Sequence, residues 1–162
     1  MTEFAIGQDS HAFEKKYDPS KPLTLGGYVI PGAGLTLKAN SDGDVILHAI
    51  TNAVSGITCK NILGAAADEL CKSGVTDSAE YLALALQDLK ASGRELVRIS
   101  LSVEAKKPKL APHIENIRSS IASITHLAPE SVGITATSGE GLSAFGRGLG
   151  IQVFCAVTVS GR

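Results

Sequence analysis

Two stretches of this chain alternate apolar and polar residues with a period of two, and between them lies a run of isoleucines at helical spacing. Val97, Ile99, Leu101 and Val103 interleave with Arg98, Ser100, Ser102 and Glu104, and Ile151, Val153, Cys155, Val157 and Val159 alternate in the same way near the C-terminus. Such alternation gathers the apolar side chains on one face of a strand. Ile114, Ile117, Ile121 and Ile124 recur at intervals of three and four, which puts them on one face of a helix, and Pro112 suits its first turn. One-faced strands and a one-striped helix bury their apolar sides by packing on each other, so the pattern constrains the chain to a layered α+β fold.

The remaining segments extend this reading. Residues 4–11 read as a strand, followed by a polar loop and a second strand over residues 23–30 that Gly26-Gly27 interrupts. Ser41 is expected to start a helix as its cap, with Asp44 in the capping-box position and Val45, Leu47, Ala49, Ile50, Ala53 and Val54 following. After Gly56 the chain reads as irregular through residues 60–68. Asp77 and Glu80 open a second helix that Gly93 stops, and residues 132–137 form a strand before a glycine-rich turn. The expected order is β, β, α, α, β, α, β, β, a small mixed sheet with helices on one face, in a single domain over residues 1–162. At 162 residues and 44% apolar, the chain can supply one core.

A net charge of −1 with scattered Lys and Arg leaves no electrostatic footprint for nucleic acid or a membrane surface. Any anionic ligand must then be held by local geometry. Cys59, Cys71 and Cys155 are odd in number and lack metal-ligand spacing, which fits a reducing compartment. The first residues show no leader or transit character and no apolar stretch reaches bilayer length. A bacterial cytoplasmic protein is expected, and a plastid protein whose transit peptide has been removed fits the same sequence.

Asp9 and His11 are two apart on the first strand, hence on one face, and His48 on the following helix can close a third corner. Three N/O donors with an open fourth position suit a zinc that polarises a substrate. Singly, Asp-x-His also reads as a polar strand end and His48 as a packed histidine. Two turns add chemistry. Thr137-Ser138-Gly139-Glu140 offers hydroxyls and backbone N–H groups beside a carboxylate, a surface that cradles phosphates around a divalent cation, or else a plain hairpin loop. Residues 105–111 form a tight turn whose backbone could read a base edge, or else a solvated basic turn.

Taken together, Asp9-Ser10-His11, Ser41-Asp42-Gly43-Asp44-Val45 with His48, Pro108-Lys109 with Pro112-His113-Ile114, and Thr137 with Glu140 and Gly146-Arg147-Gly148 occur in the order of one family. The chain resembles the 2-C-methyl-D-erythritol 2,4-cyclodiphosphate synthases of the non-mevalonate isoprenoid pathway over essentially its whole length. The resemblance implies cyclisation of 4-diphosphocytidyl-2-C-methyl-D-erythritol 2-phosphate with release of CMP. It implies zinc on Asp9, His11 and His48, and Mg²⁺ or Mn²⁺ on Glu140. Asn40 and Ser138 would steady the transferring phosphoryl group. Substrate contacts would come from Asp9, Ser10, His11, Asn40, Ser41, Ile62, Asp68, Thr137, Ser138, Glu140, Phe145 and Arg147. The cytosine would rest on Ala105, Lys106, Lys107, Pro108, Lys109, Leu110 and Ala111. The family assembles as homotrimers with active sites at subunit interfaces, metal ligands from one chain facing the cytidine pocket of its neighbour.

This chain departs from the family pattern in three places. Asn40 stands where histidine is usual, the segment from Lys60 to Glu69 lacks the usual Gly-Asp-Ile-Gly and Phe-Pro-Asp-Thr-Asp, and Leu142-Ser143-Ala144-Phe145-Gly146 moves the aromatic by one place. Two rival readings share the same residues: a phosphohydrolase using zinc-bound water on a nucleotide diphosphate, and a non-catalytic CDP-binding trimer.

Overall fold

The structure, a computed structural model, describes residues 1–161; Arg162, the last residue of the expected domain span, lies outside the described residues. A four-stranded mixed sheet runs in the order β1 (Thr2–Ala12), β6 (Gly150–Gly161), β4 (Arg94–Glu104) and β5 (Val132–Thr137). β6 pairs antiparallel with both β1 and β4, while β4 and β5 are parallel, joined through the crossover helix α4 (Ile114–Thr125). The expected mixed sheet is therefore present. Ile99, Leu101 and Val103 of β4 and Ile151, Val153, Cys155, Val157 and Val159 of β6 are buried beneath the helices, as their alternation requires, whereas Val97, expected on the same face, is exposed because a bulge between Leu96 and Arg98 shifts the register there. Burial pushes the Cys155 thiol up to about 12, which keeps it protonated. On α4, Ile117 and Ile121 are buried while Ile114 and Ile124 pack at the edge. Pro112 sits in a short 3₁₀ turn, Ala111–His113, that leads into the helix. Among the described residues no helix is long and apolar enough to cross a membrane.

Three expectations are corrected. The strand over residues 23–30 is instead a tight hairpin of two-residue strands, β2 (Thr24–Leu25) and β3 (Tyr28–Val29), separate from the main sheet. Gly26 and Gly27 both adopt positive φ, the requirement of a primed hairpin turn, so the glycines reverse the chain at this point. Second, helix α1 (Val45–Thr58) is capped by Asp44, whose carboxylate accepts from Leu47 N at 3.0 Å, and not by Ser41. Asp42 accepts from Asp44 N at 2.9 Å in an Asx turn, which holds residues 41–43 outside the helix. Third, the segment expected to be irregular contains helix α2 (Ala65–Lys72). Its N-cap is Gly64 with no side-chain bond, and Ala67 is its only buried residue, so neither capping nor periodicity marks it. Helix α3 (Ser78–Ala91) starts at its expected cap, Asp77, which accepts from Ala79 N.

Helix α1 lies directly against β1 and β6. A Cβ at Gly7 would run into the α1 backbone at Ala49 and Ala53, so glycine is what lets the strand carrying Asp9 and His11 approach the helix carrying His48. Asp44 adds a second lock. It is fully buried, and besides capping α1 it accepts from Gly26 N at 2.8 Å and Gly27 N at 2.7 Å, tying the hairpin to the helix start. Burial pushes its carboxyl up to about 6, against three N–H donors that favour the ionised form.

Candidate active site

The pleat of β1 sends Asp9 and His11 to the helix side of the sheet, and α1 presents His48 from its first turn. Asp9 Oδ2 lies 3.0 Å from His11 Nε2 and 3.1 Å from His48 Nδ1, and the two nitrogens are 3.3 Å apart. The three ligand atoms fall within 4.8 Å of one another, the arrangement expected of a three-donor metal site. Lone pairs from a carboxylate and two imidazoles converge favourably only around a proton or a cation. Burial would raise the Asp9 carboxyl, but its hydrogen bonds with His11 and His48 outweigh that and hold it well below the usual carboxylate range. Burial likewise opposes charge on His11, yet the bond to Asp9 wins and its pKa is raised.

The outward ring nitrogens are held as a metal site requires. His11 Nδ1 donates to Lys38 O at 3.0 Å, leaving Nε2 turned inward. His48 Nε2 lies 2.8 Å from Ser78 Oγ and 3.4 Å from Ser41 Oγ, leaving Nδ1 for the centre. The donor set thus fits a divalent cation in chemistry, convergence and ring orientation.

This triad opens into a cleft of about 630 Å³ that also exposes Asn40, Ser41 and Asp68. Asp68 reaches the cleft on the first turn of α2, the helix unread in the sequence. Ile62 is buried just ahead of that helix. Ser10, grouped with its neighbours in sequence, points to the opposite face of the sheet by the pleat of β1, and within one chain it does not join the cleft. Lys38, Asn52, Cys71 and Tyr81 line the cleft without having been expected there. Their positions depend on which helix faces pack together, and no local spacing records that.

The other expected site residues gather elsewhere on the same chain. Ala105, Lys106, Pro108, Lys109, Leu110, Ala111, Thr137 and Ser138 line a second, smaller cleft of about 340 Å³ at the ends of the parallel strands β4 and β5. Ala105 N donates to Thr137 O at 3.0 Å and Lys106 N to Phe145 O at 3.2 Å, which joins the 105–111 turn to the glycine-rich turn. Lys107 stands over the Phe13 ring. Glu140 is exposed at φ 50°, its Oε1 3.3 Å from Ser138 Oγ, and Arg147 is exposed beyond it. One chain therefore builds two separate half-sites, one around Asp9, His11 and His48 and one along the 105–111 and 137–138 segments, with no shared lining residues.

Comparison with known proteins bears on what these halves belong to. The YgbB family model matches residues 2–160. The 2-C-methyl-D-erythritol 2,4-cyclodiphosphate synthase of Chlamydia trachomatis serovar L2b is 49% identical over 158 residues, covering 95% of this chain and 85% of that protein. Among solved structures, the bifunctional IspDF from Campylobacter jejuni aligns with a TM-score of 0.87 at 31% identity over 98% of this chain, which spans 42% of that longer chain. A CDP-bound 2-C-methyl-D-erythritol 2,4-cyclodiphosphate synthase aligns at a TM-score of 0.83 and 28% identity, over 98% of this chain and 100% of the other. With residues 2–160 matched by the family model and nearly all of the chain aligned with these proteins, the chain belongs to the YgbB family, that of the 2-C-methyl-D-erythritol 2,4-cyclodiphosphate synthases.

Proposed function

We propose that this chain converts 4-diphosphocytidyl-2-C-methyl-D-erythritol 2-phosphate into 2-C-methyl-D-erythritol 2,4-cyclodiphosphate and CMP, as a lyase of isoprenoid-precursor biosynthesis. The observation that carries the reading is the triad of Asp9, His11 and His48, convergent and oriented in advance at the mouth of a cleft. These residues would hold Zn²⁺, and Glu140 would hold Mg²⁺ or Mn²⁺. When bound, the two cations would supply Lewis-acid polarisation and charge neutralisation at the phosphates. An oxygen of the substrate's 2-phosphate attacks the β-phosphorus and the bond to CMP breaks, so the protein need supply no nucleophile. Its residues position the groups instead. Asn40 and Ser138 would donate to the transferring phosphoryl group and Thr137 would hold phosphate. Ile62 and Asp68 would face the erythritol, and the backbone of residues 105–111 would face the cytosine, with Phe145 and Arg147 completing that side.

The separation of the two half-sites supports a homotrimer in which each active site is completed across a subunit interface, with residues 1–162 acting as one domain. So does the sheet face away from the helices, where Phe4, Ile6 and Phe154 stand exposed among small hydroxyl side chains. A cytoplasmic setting suits the three free cysteines.

Mixing tests the shared site. Glu140→Gln is expected to keep its zinc and its fold but to lose turnover at limiting Mg²⁺, because an amide cannot supply the charge a hard cation favours. His48→Ala is expected to be inactive for want of zinc. Refolded as a mixture, the two inactive variants should regain activity in trimers that pair an intact metal half with an intact Glu140 half. Absence of recovery in verified mixed trimers would place both halves of a working site in one chain, and full activity of Glu140→Gln would remove that carboxylate from the reaction.

A further inference from the structure

His48 meets the metal position through Nδ1, so its usefulness as a ligand depends on what holds Nε2. That nitrogen faces Ser78, the first residue of α3, whose hydroxyl oxygen lies 2.8 Å away and is fully buried. Ser78 in turn donates its hydroxyl proton to Asp42 Oδ1. Since a hydroxyl has a single hydrogen, donating to Asp42 leaves Ser78 Oγ only its lone pairs for His48, and Nε2 must be the donor. Asp42 is itself fixed. Its Oδ2 accepts from Ser78 N at 3.0 Å, its Oδ1 accepts from Asp44 N at 2.9 Å, and its own N–H donates to Thr76 O at 2.9 Å. On the other side of the ring lies Tyr81, its centroid 6.3 Å from that of His48, with its hydroxyl bonded to Val75 O.

We infer that Asp42 and Ser78 are positioning residues for the metal centre, a carboxylate–hydroxyl–imidazole relay that sets the His48 tautomer with Nδ1 unprotonated and aimed at the metal. The relay rests on the metal role proposed above for the triad. It differs from the simpler arrangement of a ligating histidine bonded directly to a carboxylate, because a serine from another helix is interposed. Zinc affinity is thereby made to depend on the docking of α3 against the start of α1. Asp44, the carboxylate nearer to His48 in sequence, turns away to the Gly26-Gly27 hairpin and cannot serve. The negative charge of Asp42, carried through a polarised hydroxyl, raises the electron density available at Nδ1.

The test is zinc affinity, measured by competition with a chromophoric chelator, alongside the melting temperature of the zinc-free protein. Ser78→Ala is expected to bind zinc about 10- to 100-fold more weakly, the scale seen when an outer partner of a ligating histidine is removed, and Ser78→Thr to restore affinity. Asp42→Asn keeps the shape and can keep the bond from Ser78 N, but it loses the charge and sets an NH2 group where Oδ1 accepts from Ser78 Oγ and Asp44 N, so it too is expected to bind zinc more weakly than wild type. The zinc-free melting temperature of Ser78→Ala is expected to fall by a few degrees for the lost buried hydrogen bonds, whereas a role confined to packing would lower it and leave zinc affinity unchanged. Wild-type zinc affinity in a folded Ser78→Ala overturns the relay. If Ser78→Ala does not fold, wild-type affinity in Asp42→Asn overturns it equally. A wild-type protein that takes up no zinc overturns the metal reading itself, which distinguishes the two failures.

Discussion

His48→Ala is expected to abolish stoichiometric zinc and to lower turnover by about three orders of magnitude, roughly 4 kcal/mol of transition-state stabilisation. The size follows from the donor count. Asp9, His11 and His48 are the only group of three such donors brought together among the described residues, so nothing nearby can replace a lost imidazole. Two donors hold a divalent cation far more weakly than three, and a site without its cation loses the charge that the phosphates require. Elemental analysis of protein never exposed to chelator reads the first effect and a CMP-release assay reads the second. Full zinc content in the variant would mean that His48 is a packed histidine and the convergence of the three side chains is incidental.

Asp44→Ala should produce the largest loss of stability, about 3–4 kcal/mol. Three backbone donors depend on this one carboxylate: Leu47 N at the start of α1, and Gly26 N and Gly27 N in the hairpin. Loss of the helix cap is worth about 1 kcal/mol. Leaving a buried N–H without a partner costs about 1–3 kcal/mol, a cost that Gly26 bears in full and the exposed Gly27 meets partly with water. The midpoint of urea denaturation, compared at an unchanged slope, measures it. A loss below about 1 kcal/mol would show that the hairpin and helix start are held together by packing alone.

These two residues illustrate what the sequence makes legible. His48 is identifiable because its chemistry is paired with Asp9 and His11 at strand spacing, a local pattern that the fold then brings together. The strands containing Ile99 and Val153, and the isoleucine stripe of α4, are legible for the same reason: period and burial coincide. Asp44 is only half legible. Its place before an apolar run marks it as a helix-start residue, although the cap itself is expected at Ser41, and its bonds to Gly26 and Gly27 join segments 17 and 18 residues apart in sequence, which no local signal predicts. Helix α2 escapes notice because it buries only Ala67 and starts on Gly64 with no capping side chain. Ser78 escapes notice because its neighbour Asp77 accounts for the helix start, while the partner that gives Ser78 a role lies 30 residues away on another helix. Ser10, implied by the resemblance as a substrate contact, lies on the other face of β1, so within its own chain it stands outside the cleft that Asp9 and His11 line. The two half-sites were both legible as motifs, whereas their separation on one chain is a property of the sheet, whose strand order places β1 and β5 at opposite edges.

The central claim is that two cation-dependent half-sites close a ring and do not hydrolyse the diphosphate. ³¹P NMR of the purified protein with 4-diphosphocytidyl-2-C-methyl-D-erythritol 2-phosphate, zinc and Mg²⁺ tests it most directly. The account predicts the resonances of a cyclic diphosphate and of CMP growing in equal amounts, and their loss in His48→Ala. Linear phosphates formed with solvent oxygen would make the protein a phosphohydrolase, and tight CDP binding with unchanged substrate would make it a binding protein that has lost the reaction of its family.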